Sequence, residues 1–377
     1  VCSNSRHALA VMYSWPWHLE PGLPGALVDI AVDGGAAEVF RTSAVEPWRI
    51  VRTRWRVQGK VGGPVEGGGR AGGYFTSASG LTIYRGDAMP SLQGNLFVGD
   101  VGSNLVHRKV IEHPGNRVQP VARRAPGGEA REFLTSSDNW FRPVMCANGP
   151  DGALYIVDMC RETIEHPWSL PESIKKHLDL YSGSDRGRIW RVVPEDFVRP
   201  ERKRFERTAA GLVQRLMSAN GWERETAARL LCELSADPGQ RSALEVALTG
   251  MIHPLLDGPS ASRALVLGVA ERLGGNAIRG WNAVGLMSHA DPVVRAGIAR
   301  TCDPALPSLA QLAGDPDPRV RFVVALRTLD EAVKAEAGML AMLARLAEGD
   351  PWVLRVVAAA AKKRGLLPLV VPAQELE

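Results

Sequence analysis

The chain has 377 residues, a formal net charge of +4, 45% hydrophobic and 23% charged residues. Its length exceeds the usual size of one domain, and its composition sits close to soluble globular averages, which excludes wholesale disorder. No basic residues gather in a block of five or six and no apolar run approaches 18 residues, so neither a nucleic-acid stripe nor a membrane span is expected.

All five tyrosines and seven of the ten tryptophans precede residue 196, after which Ala and Leu dominate. Aromatic and β-branched residues favour strands and Ala and Leu favour helices, so the shift marks a change of fold class near residues 194–204. The stretch 59–73 is glycine-rich but lacks the Gly-Lys-Ser/Thr ending of a phosphate loop, and reads as a flexible surface loop. Short apolar runs at 81–84, 95–98, 153–157 and 188–193 are bounded by Gly, Pro, Asn and Asp, which predicts antiparallel strands in a propeller or a sandwich.

Beyond residue 205 the periodicity becomes helical. Asp291-Pro292-Val293-Val294-Arg295, Asp317-Pro318-Arg319-Val320-Arg321 and Asp350-Pro351-Trp352-Val353-Leu354-Arg355 repeat one signal at intervals of 26 and 33 residues, the last with its Arg one position late. Asp caps a helix N-terminus and Pro suits the first turn, so each copy predicts a helix start. A looser copy begins at Gly221. The pattern resembles HEAT repeats, in which paired helices stack into a solenoid.

Polar residues cluster at the ends of the predicted strands. His107 with Arg108, Arg142, Asp158 with Arg161, and His166 are the candidate catalytic residues. A histidine near a guanidinium and a carboxylate can take a proton from an alcohol while hydride leaves for a cofactor. Asp158 and Arg161 are also explained by a structural ion pair, His166 by a brace for the loop before Pro167, and His107 by a structural histidine. Asp100 and Asp158 offer oxygen ligands to a hard cation such as calcium, but no contiguous calcium loop exists, and no metal site is assigned. The five cysteines show no C-x-x-C spacing, which argues against a zinc ribbon, a redox pair or a c-type haem attachment in this chain.

The ordered run 75–87, then Gly94-Asn95-Leu96-Phe97-Val98, Asn104-Leu105-Val106-His107-Arg108, Arg131-Glu132-Phe133-Leu134, Trp140-Phe141-Arg142-Pro143 and 149–159 resembles the membrane-bound dehydrogenase family of planctomycetes and verrucomicrobia. The likeness covers roughly residues 1–235 and rests on the order of the motifs. Gly187-Arg188-Ile189-Trp190-Arg191 is similar to the closing strand of a sugar-dehydrogenase propeller. The resemblance implies a multidomain β + α chain: a partial β-propeller, its C-terminal blades, over 1–198, and an all-α HEAT-like solenoid over 205–377. It further implies export to the periplasm, oxidation of a sugar or alcohol, and electrons passed to a c-type haem. The cofactor is unknown; pyrroloquinoline quinone with calcium enters only by analogy. Cys160 stands where that family has an aromatic residue, and too few blades are present to close a propeller, so the chain reads as a fragment or truncated relative. The alternative is a non-catalytic binding or scaffold protein that presents propeller and HEAT-like repeat surfaces to a protein or a glycan, such as a sugar or polysaccharide at the propeller face or a protein partner on the HEAT-like repeats.

Overall fold

A computed structural model describes residues 6, 8–11, 27–201, 204–273, 283–303, 308–347 and 349–367. They divide into two units: the described residues of Val1–Val11, Leu27–Glu112 and Pro120–Arg199 make the first, and those of His113–Gln119 and Pro200–Glu377 belong to the second.

In the first unit β1 (Leu9–Val11) pairs antiparallel with β2 (Leu27–Asp29). Next comes helix α1 (Pro47–Val57). Strands β3 (Ala78–Ile83), β4 (Leu96–Asp100), β5 (Leu105–Glu112) and β6 (Val121–Arg124) follow one another in an antiparallel meander, and the short β7 (Leu134–Thr135) adds to β5. A second sheet places β9 (Leu154–Asp158) between β8 (Pro143–Asn148) and β10 (Arg188–Val192), with the short helix α2 (Glu172–Lys175) between β9 and β10 in the chain.

Successive side chains of a strand point to opposite faces, and β4 shows the consequence. Leu96 and Val98 join a core with Phe75, Leu105 and Ala122, whereas Phe97 joins a second core with Tyr84, Val106, Phe141, Leu154 and Ile156. The second core lies between the two sheets, because it draws on β4 and β5 as well as on β9. Their backbones approach closely there: a Cβ at Gly99 would collide with the Pro143 carbonyl, and one at Gly80, whose φ is +59°, with the backbone of Met145.

The strands therefore form where turn chemistry bounds the apolar runs, but the propeller expectation is corrected. A propeller repeats a four-stranded blade about a central channel. Here one sheet has five strands and the other three, and neither closes on itself. The fold is a mixed β and α one, two small open sheets together with the β1–β2 pair, and then a helical region.

The second unit contains helices α3 (Ala209–Arg215), α4 (Gly221–Leu234), α5 (Pro238–Asp257), α6 (Ser260–Leu273), α7 (Ala283–Leu286), α8 (Pro292–Thr301), α9 (Ser308–Gln311), α10 (Pro318–Arg327), α11 (Ala337–Leu346) and α12 (Pro351–Lys363). Contacts run along the chain, from α4 and α5 to α6, then α6 to α8, α8 to α10, and α10 to α12. The repeated sequence signal explains the helix starts. Asp291, Asp317 and Asp350 accept hydrogen bonds from the backbone N–H two residues on, at 2.8, 2.8 and 2.9 Å, and Asn220 does the same for α4 at 2.9 Å.

The arginine four positions after each cap has its own role. Arg295 donates to the carbonyls of His289 and Ala290, Arg321 to those of Asp315 and Pro316, and Arg224 to those of Ser218 and Ala219. Each guanidinium thus clamps the turn just before its own helix. In the last copy the shifted Arg355 lies over the Trp352 ring, 5.5 Å from its centroid. Among the described residues no helix is long and apolar enough to cross a membrane.

Candidate functional site

Helix α1 starts at Pro47, whose missing N–H costs nothing in the first turn, and ends with Arg54 and Arg56, whose charges suit a helix C-terminus. Its sequence Pro-Trp-Arg-Ile-Val-Arg-Thr-Arg-Trp-Arg-Val carries two stripes at the i, i+3, i+7 spacing of one helical face. Trp48, Val51 and Trp55 form one and pack with Leu170 and Ile174. Arg49, Arg52 and Arg56 form the other, and they are only 5%, 4% and 9% exposed.

Buried guanidiniums require partners, because desolvating a charge is costly unless hydrogen bonds replace its water. Arg49 Nε donates to Glu46 at 3.3 Å; Arg52 pairs with Glu165 and donates to Ser169 Oγ at 3.2 Å. Among the described residues Arg56 donates only to backbone carbonyls, those of Pro64 at 3.4 Å and Ser169 at 3.1 Å. The Nε atoms of Arg52 and Arg56 are buried without an acceptor among the described residues. Burial lowers the Arg56 pKa, and the neighbouring Arg52 charge lowers it further. Burial alone would raise the carboxyls of Glu46 and Glu165, but Arg49 with Arg142 holds the first, and Arg52 the second, below the ordinary value.

The stripe opens on a cleft of about 520 Å³ whose other walls come from Thr76 and Ser77, from Pro64 and Glu66, and from the segment after β9 that includes Arg161, Thr163, Glu165 and His166. Four arginines there face two glutamates, which leaves a surplus of two positive charges. From Arg49 to Arg56 the stripe runs about 10 Å along the helix axis. An elongated cationic cleft of this kind can hold an anion by charge-assisted hydrogen bonds.

The residues picked out from the sequence fall in three places. Arg161 and His166 line the cleft: Arg161 donates to the carbonyls of Met159 and Gly183, and His166 Nδ1 accepts the Trp168 N–H at 3.2 Å. Arg142 and Asp158 lie deep between the sheets. Asp158 accepts from Arg142 N, Cys160 N, Arg188 Nε and Trp190 Nε1 at 2.7–2.9 Å, so its ion pair is with Arg188 rather than with Arg161. His107 and Arg108 are neighbours on β5 and therefore face opposite sides of the sheet. His107 is buried edge-on to Phe75 and donates from Nδ1 to Glu132 at 2.5 Å, while Arg108 borders a small pocket with Arg124 and Arg131. Burial lowers the His107 pKa against the opposing pull of Glu132; burial would raise Glu132, but its bond to His107 keeps it low.

The structure also corrects the functional expectation. A propeller dehydrogenase works at the mouth of a blade-lined channel, and open sheets of five and three strands form no such channel. Neither the dehydrogenase nor the propeller scaffold reading survives that topology, and the described residues add no haem-binding feature to a sequence without C-x-x-C-H. Among the described residues no three His, Cys, Asp or Glu side chains gather to hold a metal.

Sequence reasoning missed Arg49, Arg52 and Arg56, because it sought a contiguous basic block. The signal was present as arginines repeating at three and four residues. No curated protein and no solved structure matches the chain. Residues 2–196, just over half of it and including every residue of the cleft, match the profile of a family described as a domain of unknown function, DUF7133, and the chain belongs to that family.

Proposed function

We propose that the first unit is a binding module for a small dianion, a phosphate-type or carboxylate-type ligand seated along Arg49, Arg52 and Arg56. The observation that carries this reading is the stripe of three nearly buried arginines that, together with Arg161, lines one cleft with two glutamates. A dianion seated there would offset the surplus positive charge through charge-assisted hydrogen bonds. Arg161 and His166, at the rim, contact the far end of the ligand.

The test is calorimetric titration of the full chain with inorganic phosphate, sulfate and succinate. At least one binds saturably, and Arg56→Met weakens it by about tenfold or more. Arg56 is the informative position because its nitrogens meet only carbonyl oxygens, so its removal strands no carboxylate. Absence of saturable heat with all three anions, or an unchanged affinity in Arg56→Met, removes the proposal.

A further inference from the structure

We infer that a second cavity, on the tryptophan stripe of α1, is a site for an organic ammonium cation. The cavity measures about 590 Å³, and Trp48, Trp55 and Trp140 contribute three indoles to its lining, with Asn139, Glu162 and His177 among its polar groups. Aromatic faces attract cations through their negative quadrupole, and indole does so best.

Two of these rings already seat cations. The guanidinium carbons of Arg49 and Arg52 lie 4.8 and 5.2 Å from the Trp48 centroid, and that of Arg186 lies 5.6 Å from the Trp140 centroid. Trp55, half-buried, has no guanidinium against it among the described residues. It is the indole left for a ligand.

The polar lining has the complementary character. Asn139 Oδ1 is buried without a hydrogen-bond donor among the described residues. The Glu162 backbone carbonyl is taken by Arg142, but its exposed carboxylate pairs with no cation among them. Glu46, the other acid of the lining, is neutralised by Arg142 and Arg49. Aromatic faces and one unpaired carboxylate match a compact cation that bears methyl or methylene groups. An anion is disfavoured there by Glu162. The site is thus opposite in preference to the arginine cleft, although both are lined in part by Thr163. This inference does not rest on the anion reading.

The experiment titrates choline into the full chain and follows tryptophan fluorescence and heat. The control is 3,3-dimethylbutan-1-ol, its uncharged isostere. Choline binds saturably, the alcohol binds about tenfold more weakly, and saturating phosphate leaves the choline affinity unchanged. Trp55→Phe, which keeps a π face, retains most of the affinity, whereas Trp55→Leu loses about tenfold. Where the leucine variant fails to fold, Glu162→Gln decides, since its side chain is exposed and its substitution must weaken choline without affecting the alcohol. Equal binding of choline and the alcohol would make the site a plain apolar pocket and overturn the inference. Choline that does not bind, or that binds Glu162→Gln as tightly as wild type, overturns it equally.

Discussion

Arg142 shows how one side chain can brace a cleft from behind its wall. It is fully buried, and its guanidinium donates to Glu46 Oε1 through both Nη atoms and to the carbonyls of Val101, Arg161 and Glu162. Those partners are the residue just before α1, the residue just after β4 and two residues of the segment after β9, so one planar fork fixes three pieces of backbone. Burial lowers its pKa, with Glu46 opposing. Arg142→Met leaves the buried Glu46 carboxylate to Arg49 and Arg41 and three carbonyls without their donor, and is expected to cost about 2–3 kcal/mol, read as a fall in the urea midpoint. Arg142→Lys recovers little, because an ammonium cannot supply that planar set of donors. A methionine variant within 1 kcal/mol of wild type, on the same scale, would show that the bracket is dispensable. From the sequence, Arg142 is one of several polar residues at strand ends. Nothing local distinguishes a bracket from a ligand contact, since the partners lie up to 96 positions away.

Strand β5 makes the same point through its pleat. His107 and Lys109 share the buried face and each meets a carboxylate, Glu132 and Asp33, whereas Arg108 looks the other way. Adjacent letters in a sequence suggest a shared site, and alternation in a strand forbids it. The His107 pair has a pH signature. Its folded pKa lies below the ordinary 6.5, so between the two values the unfolded chain binds the extra proton, and stability falls as pH drops below about 6.5. Urea midpoints between pH 7.5 and 5.5 should decline more steeply for wild type than for His107→Gln. Parallel slopes would assign the decline to other groups. Helix starts were far more legible than this. An Asp-Pro cap acts within three residues, so Asp291, Asp317 and Asp350 could be read directly, and the clamp by Arg295 and Arg321 completes the same local motif.

At the scale of the whole chain, what the sequence concealed was closure and burial. Turn residues around 84–95 and 148–154 announce strands, yet whether a sheet closes depends on pairings between strands far apart, which no local pattern encodes. The arginine stripe was hidden for a related reason: the spacing of Arg49, Arg52 and Arg56 is readable, but the inward turn of that face is decided by the segment 159–169 packed against it. The division into two units, each with its own apolar core, gives the anion reading a consequence beyond binding. A ligand that occupies only the native cleft stabilises the structure around it by about 2.7 kcal/mol at a hundred times its dissociation constant. Hydrogen exchange of the chain saturated with the tightest of the three anions should therefore show slowed amides in α1, β4 and β8. The amides of α8 and α10, whose contacts run to α6 and α12, should exchange as before. Equal slowing in both sets would mean that the anion acts on the helical unit as well, and a cleft confined to the first unit could not account for it.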